Sequence, residues 1–165
     1  MKKFCFSTVI TIVMAGLVAC GGQNDKQDPV DQGQPAINYH GTPTPIGSSG
    51  FTIDLMEGYA IDSQIDSLFT VYYFKPTDSL APEDEAGIYF GTHPDTSAPT
   101  IDYSKKLIDG NFMGNSVKWV EYTTGTYTQR EVFVDRGPND KIHCWCYSHD
   151  PVSLEELFWM IRTIR

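Results

Sequence analysis

Basic residues are scarce in this chain. Lys and Arg number 12 against 21 Asp and Glu, a formal charge of −9. A surface this poor in cations argues against nucleic acid or an anionic membrane surface as the main partner, because both reward positive patches. An acidic surface kept for solubility is the plain reading; a basic protein or a cationic small molecule remains open. Signatures of chemistry are missing too: there is no HExxH, no Walker loop and no GxGxxG. Ser48 and Ser49, in GSSG, do not form the GxSxG elbow. Internal repeats are absent, and 165 residues suffice for one folded domain and hardly for two.

The few histidines do not converge. His40 and His93 fall in segments that read as irregular, and His143 and His149 are six residues apart, about 20 Å if extended, which excludes a shared metal. A lone His143 on a strand reads as packed or solvated rather than as a general base. Asp25, Asp28 and Asp31, and then Asp135, Asn139 and Asp140, cluster without matching the alternating calcium loop and its distal Glu. Glu83, Asp84 and Glu85 read as a solvated acidic loop. No catalytic residue, metal or cofactor is expected.

The N-terminus is the most informative stretch. Lys2 and Lys3 precede an apolar run from Phe4 to Val18, interrupted by Ser7, Thr8, Thr11 and Gly16. The run is too short and too punctuated for an ordinary membrane span and fits the apolar region of a secretory signal. It ends in Leu17, Val18, Ala19, Cys20, Gly21, which resembles the bacterial lipobox. That resemblance implies cleavage between Ala19 and Cys20 and attachment of diacylglycerol to the Cys20 thiol, with fatty acyl groups such as palmitate as the membrane anchor. Loss of residues 1–19 removes Lys2 and Lys3 and no acid, moving the charge from −9 to −11. The implied location is the cell envelope, anchored through the N-terminal lipid. Gly21 and Gly22 give no strong retention signal, which places the expectation at the outer membrane, with the periplasmic or surface side open.

Residues 20–50 comprise the lipidated Cys and a segment rich in Gly, Pro, Asn, Gln and Asp. Such a composition cannot bury enough surface to offset chain entropy, so it reads as a flexible tether of roughly 30 Å reach. From residue 51 to 165 the pattern is that of one α+β domain. Six strands are expected: Phe51–Leu55, Thr70–Lys75, Gly87–Gly91, Asn115–Thr123, Tyr127–Asp135 and Lys141–Ser148, the last three joined as an antiparallel meander by turns containing Gly125 and then Gly137 to Asp140. Thr100 fits the cap of a short central helix through Leu107 and Ile108, closed by Gly110. Ser153 and Glu156 have capping-box spacing before a C-terminal helix in which Leu154, Leu157, Phe158, Ile161 and Ile164 share one face. An antiparallel sheet packed by these helices is the economical arrangement.

The opening GFTIDLMEGY (Gly50 to Tyr59), the central SAPTIDYSKKLI (Ser97 to Ile108) and the closing helix from Ser153 resemble the PsbP-like fold shared by photosystem extrinsic proteins and small bacterial lipoproteins of the DcrB type. This chain departs from it at Met56, where the family opening usually carries Pro. The resemblance implies an α/β/α sandwich and an assembly, chaperone or accessory role.

Cys144 and Cys146 stand two apart on a strand, on one face and too far apart for the ~3.8 Å Cβ separation of a disulfide, so two buried thiols are expected. The same alternation puts His143, Trp145 and Tyr147 on the other face. With 18 aromatics after Gly50, most belong to the core, yet an incomplete second helical layer would leave His143, Trp145 and Tyr147 as a candidate interaction surface. The function expected is that of a lipid-anchored, non-catalytic interaction module with a protein partner, in an immunity-like or chaperone-like role. Rivals are a small-ligand-binding lipoprotein and a hydrolase with an unrecognised site.

Overall fold

A computed structural model describes residues 38–78, 84–95 and 98–165. The expected signal, Ala19, Cys20 and most of the expected tether lie outside the described residues. Nine strands and one helix follow in chain order: β1 Gly41–Pro45, β2 Thr52–Met56, β3 Tyr59–Ile65, β4 Phe69–Pro76, β5 Glu85–Gly91, β6 Ser104–Phe112, β7 Asn115–Thr123, β8 Thr128–Asp135, β9 Lys141–Ser148 and α1 Pro151–Arg162. β1 and β2 form a two-stranded sheet; the other strands form an antiparallel seven-stranded sheet in the order β3-β4-β5-β9-β8-β7-β6. The fold is α+β, as expected, and the meander β7-β8-β9 holds.

α1 forms because its start and its stripe agree. The Asp150 carboxylate accepts from the Ser153 amide at 2.8 Å, Pro151 opens the first turn and supplies no orphan N–H, and Leu154, Leu157, Phe158, Met160 and Ile161 are buried along one side. The cap is therefore Asp150, not the expected Ser153, whose amide is satisfied instead. The stripe packs on Ile142, Cys144 and Cys146 of β9, Ile88 of β5 and Val132 of β8, all 4 % exposed or less. Trp119 of β7 meets Phe158 edge to face at 5.1 Å.

Four expectations change. Nine strands stand among the described residues where six were expected, and β3, absent from the expected set, pairs along β4 after the turn at Glu57 and Gly58. Residues over the expected central helix form β6 instead. Ile108 packs against the core, Lys106 reaches Glu121 at 2.7 Å, and a Cβ at Gly110 would lie 2.9 Å from the Trp119 indole, so this glycine makes room for a ring and caps no helix. The folded part also begins before Gly50: β1 pairs along β2, and Ile46 is fully buried. Last, the described residues hold a single helix, which packs on one face of the large sheet.

Candidate functional site

Residues paired directly across an antiparallel sheet share a face. With Cys144 and Cys146 turned to α1, the register places His143, Trp145 and Tyr147 on the opposite face. Tyr73 of β4, Gly87 and Tyr89 of β5, Gln129, Glu131 and Phe133 of β8, Val120 and Tyr122 of β7 and Leu107 of β6 join them there. The three residues picked out in the sequence share this face, but His143 is only 4 % exposed and offers no contact surface of its own.

On this face the side chains cover one another. The Trp145 indole lies over Gly87, where a Cβ would come within 2.5 Å of the ring; only glycine lets it lie flat there. Tyr73 meets Trp145 edge to face at 6.2 Å. His143 is tilted against Trp145 at 5.1 Å and stacked on Phe133 at 4.1 Å with the planes 4° apart. Tyr147 contacts Tyr127 at 6.2 Å. Phe133 keeps its outer side in water, 43 % exposed.

Beneath these rings the Nε2 of His143 lies 3.0 Å from a Glu131 carboxylate oxygen, with the two residues only 4 % and 1 % exposed. This pair was not foreseen; its one trace in the sequence is a charged residue inside the apolar alternation of REVFV. A carboxylate and imidazole in contact suit acid-base work, but both groups are sealed under Phe133 and Trp145, and the pair's service here is to orient the His143 ring under Phe133. Beside it, the Gln129 side-chain amide nitrogen is buried with no hydrogen-bond partner among the described residues.

Charge on this face is balanced locally. Lys75 pairs with Glu85 at 3.2 Å, Lys141 with Asp135 at 2.6 Å, and Lys118 with Asp109. The hydrogen bond from Lys141, with that from the Gly137 amide, holds Asp135 below the usual carboxylate range. Lys75 also sits over the Tyr73 ring and Lys105 over Tyr122, at 4.7 and 5.5 Å.

On the α1 side, Arg130 bonds Glu121 at 2.8 Å and Glu155 at 2.7 Å and lies over the Phe158 ring at 4.4 Å. Burial pushes the Glu121 carboxyl up, but the hydrogen bonds from Lys106 and Arg130 outweigh it and bring it below its ordinary value. These contacts tie β6, β7, β8 and α1 together.

Cys144 and Cys146 are free and buried, as expected. Burial pushes both thiols up, Cys146 to about 12, so neither offers a thiolate nucleophile at neutral pH. A cavity of about 200 Å³ is lined by residues including Thr124, Thr126, Tyr127, Ser148 and His149, smaller than the roughly 300–1,000 Å³ of ordinary ligand sites. Among the described residues no group of three or more His, Cys, Asp or Glu is placed to hold a metal ion, and no helix is long and apolar enough to cross a membrane.

Fold and site together define an α+β protein with one helix-packed and one aromatic sheet face. Compared with protein-family models, curated proteins and solved structures, the chain matches none.

Proposed function

We propose that this chain is a lipid-anchored lipoprotein of the cell envelope, held at the outer membrane through Cys20, and that its domain is a non-catalytic module that docks a protein partner. The observation that carries the docking role is the sheet face on which the described residues place no helix, where Phe133, Trp145 and Tyr73 form an aromatic surface. Aromatic side chains supply large contact area at small entropic cost and recur as anchors of protein interfaces. The PsbP-like resemblance supports an accessory or chaperone role, and the lipobox-like end supports the anchor. Around Trp145 and Phe133 the charges Lys75, Glu85, Lys141 and Asp135 are paired with one another, so the partner is apolar or aromatic at that contact rather than strongly basic, which favours the chaperone-like over the immunity-like variant.

The test is capture of the tagged full-length protein from its own envelope, beside a Phe133→Asp variant. One stoichiometric protein recovered by the wild type and lost by the variant is the expected result. Recovery of a small molecule instead, or of a protein that F133D still binds, would sink this assignment.

A further inference from the structure

We propose that the chain self-associates as a two-fold dimer through β6, joining two seven-stranded sheets into one continuous sheet. Sheet edges carry unpaired N–H and C=O groups and invite a partner strand unless they are blunted. The edges of this molecule differ in that respect. β1 carries Pro43 and Pro45, which cannot donate. β2 is met by the C-terminal residue: the Thr52 amide donates to the Arg165 carbonyl at 2.9 Å, and the Arg165 amide to the Thr52 carbonyl at 3.1 Å. β3, one edge of the large sheet, is centred on Asp62, which would face its own copy in a symmetric pairing. β6, the other edge, has nine residues and no proline; its charges, Lys105, Lys106 and Asp109, discourage an arbitrary strand and leave a complementary one as its fit.

The sequence of β6 is self-complementary when read against itself in the opposite direction. With Leu107 on the two-fold axis, Leu107 meets its copy, Lys105 of each chain meets Asp109 of the other, and Lys106 meets Ile108. Lys105, Leu107 and Asp109 share the aromatic face, so an apolar contact is flanked by two opposite-charge pairs. Leu107 is 62 % exposed, and Lys105 and Asp109 are exposed. Asp109 already meets Lys118, and its carboxylate has a second oxygen for Lys105.

Backbone phase agrees with this register. β6 and β7 are joined through Met113 and Gly114, both at positive φ, 51° and 76°, a two-residue turn of the mirror-image type. The closing pair of such a hairpin, Phe112 and Asn115, exchanges hydrogen bonds. Alternation then turns the N–H and C=O groups of Lys105, Leu107 and Asp109 outward, where a second β6 in the stated register receives them. A symmetric interface requires the same patch on both copies to complement itself, and β6 meets that condition while the acidic excess elsewhere opposes other self-contacts.

Sedimentation of the purified full chain across a wide concentration range, with charge-swap variants, tests the dimer. Wild type is expected to show a reversible monomer–dimer equilibrium. Lys105→Glu alone and Asp109→Lys alone each set like charges opposite one another twice per dimer and weaken association by about tenfold or more. The double variant K105E/D109K restores opposite charges and is expected to return to within about threefold of wild type. Such rescue is not a consequence of any effect on folding, which circular dichroism of each variant checks. A wild type that stays monomeric throughout, single variants that dimerise as well as wild type, or a double variant no better than the singles would overturn the proposal. Capture of a foreign partner through Phe133 is independent of these substitutions, so the two readings fail separately.

Discussion

Glu121 shows how single residues hold this domain. It is 4 % exposed and receives Lys106 at 2.7 Å and Arg130 at 2.8 Å. Burial opposes its charge, but the two cations dominate and its pKa is depressed. A carboxylate with a depressed folded-state pKa contributes stability that is complete above its unfolded value and is lost as pH falls through the folded one. Glu121→Gln should therefore cost about 3 kcal/mol at neutral pH, because it strands part of the Arg130 charge. The deficit relative to wild type should shrink below about pH 4.5, the ordinary value of this group. Urea unfolding of both proteins across that range measures it; a deficit independent of pH would contradict the assignment. The buried thiols give a second expectation. Native protein exposed to an alkylating reagent at neutral pH should stay unmodified at Cys144 and Cys146 by mass spectrometry, and both should react in denaturant, because burial raises both thiol pKa values and excludes the reagent.

At the scale of elements, much of the domain was legible in the sequence. The strands β2, β4, β5, β7, β8 and β9 and the closing helix stand within a few residues of where alternation and 3.6-residue spacing put them, because each has one apolar face and one core to meet. β6 was not legible. Its run of Lys105, Lys106, Leu107 and Ile108 carries one cation and one apolar group on each face, so the period of two is hidden. What decides it lies on the neighbouring strand β7: Glu121 neutralises Lys106, and Trp119 occupies the space above Gly110. β1 was hidden for the opposite reason, since Gly41–Pro45 looks like a linker by composition and becomes a strand only by pairing with β2. The aromatic face was half legible: His143, Trp145 and Tyr147 follow from alternation within β9, whereas Glu131 and Phe133 need the register of β8. The helix start was misassigned by three residues, and the cap itself is testable. Asp150→Ala removes the acceptor of the Ser153 amide and hydroxyl, at 2.8 and 3.0 Å. The expected loss is about 1 kcal/mol, measured by urea unfolding, whereas Ser153→Ala should cost less because the amide bond survives.

For the molecule as a whole, the folded part and the anchor are separate physical problems. Compared with water, a bilayer gains about 0.8 kcal/mol for each buried methylene, and one acyl chain holds a protein only marginally while two or more hold it stably. Were Cys20 to carry the expected diacylglycerol, that lipid would be the whole of the attachment, since a chain cut before Cys20 would carry −11 and be repelled by anionic headgroups. The core of the described domain is built from residues between Ile46 and Ile164. Cys20→Ala should therefore leave the unfolding transition of the domain unchanged while moving the protein out of the membrane fraction in cell fractionation, or trapping it with the signal uncleaved. Metabolic labelling with palmitate should mark the wild type and not C20A. A protein that stays in the membrane fraction, cleaved and unlabelled, after this substitution would show that something other than the lipid holds it. The lipoprotein reading would then give way to attachment through a partner, for which the aromatic face is the first place to look.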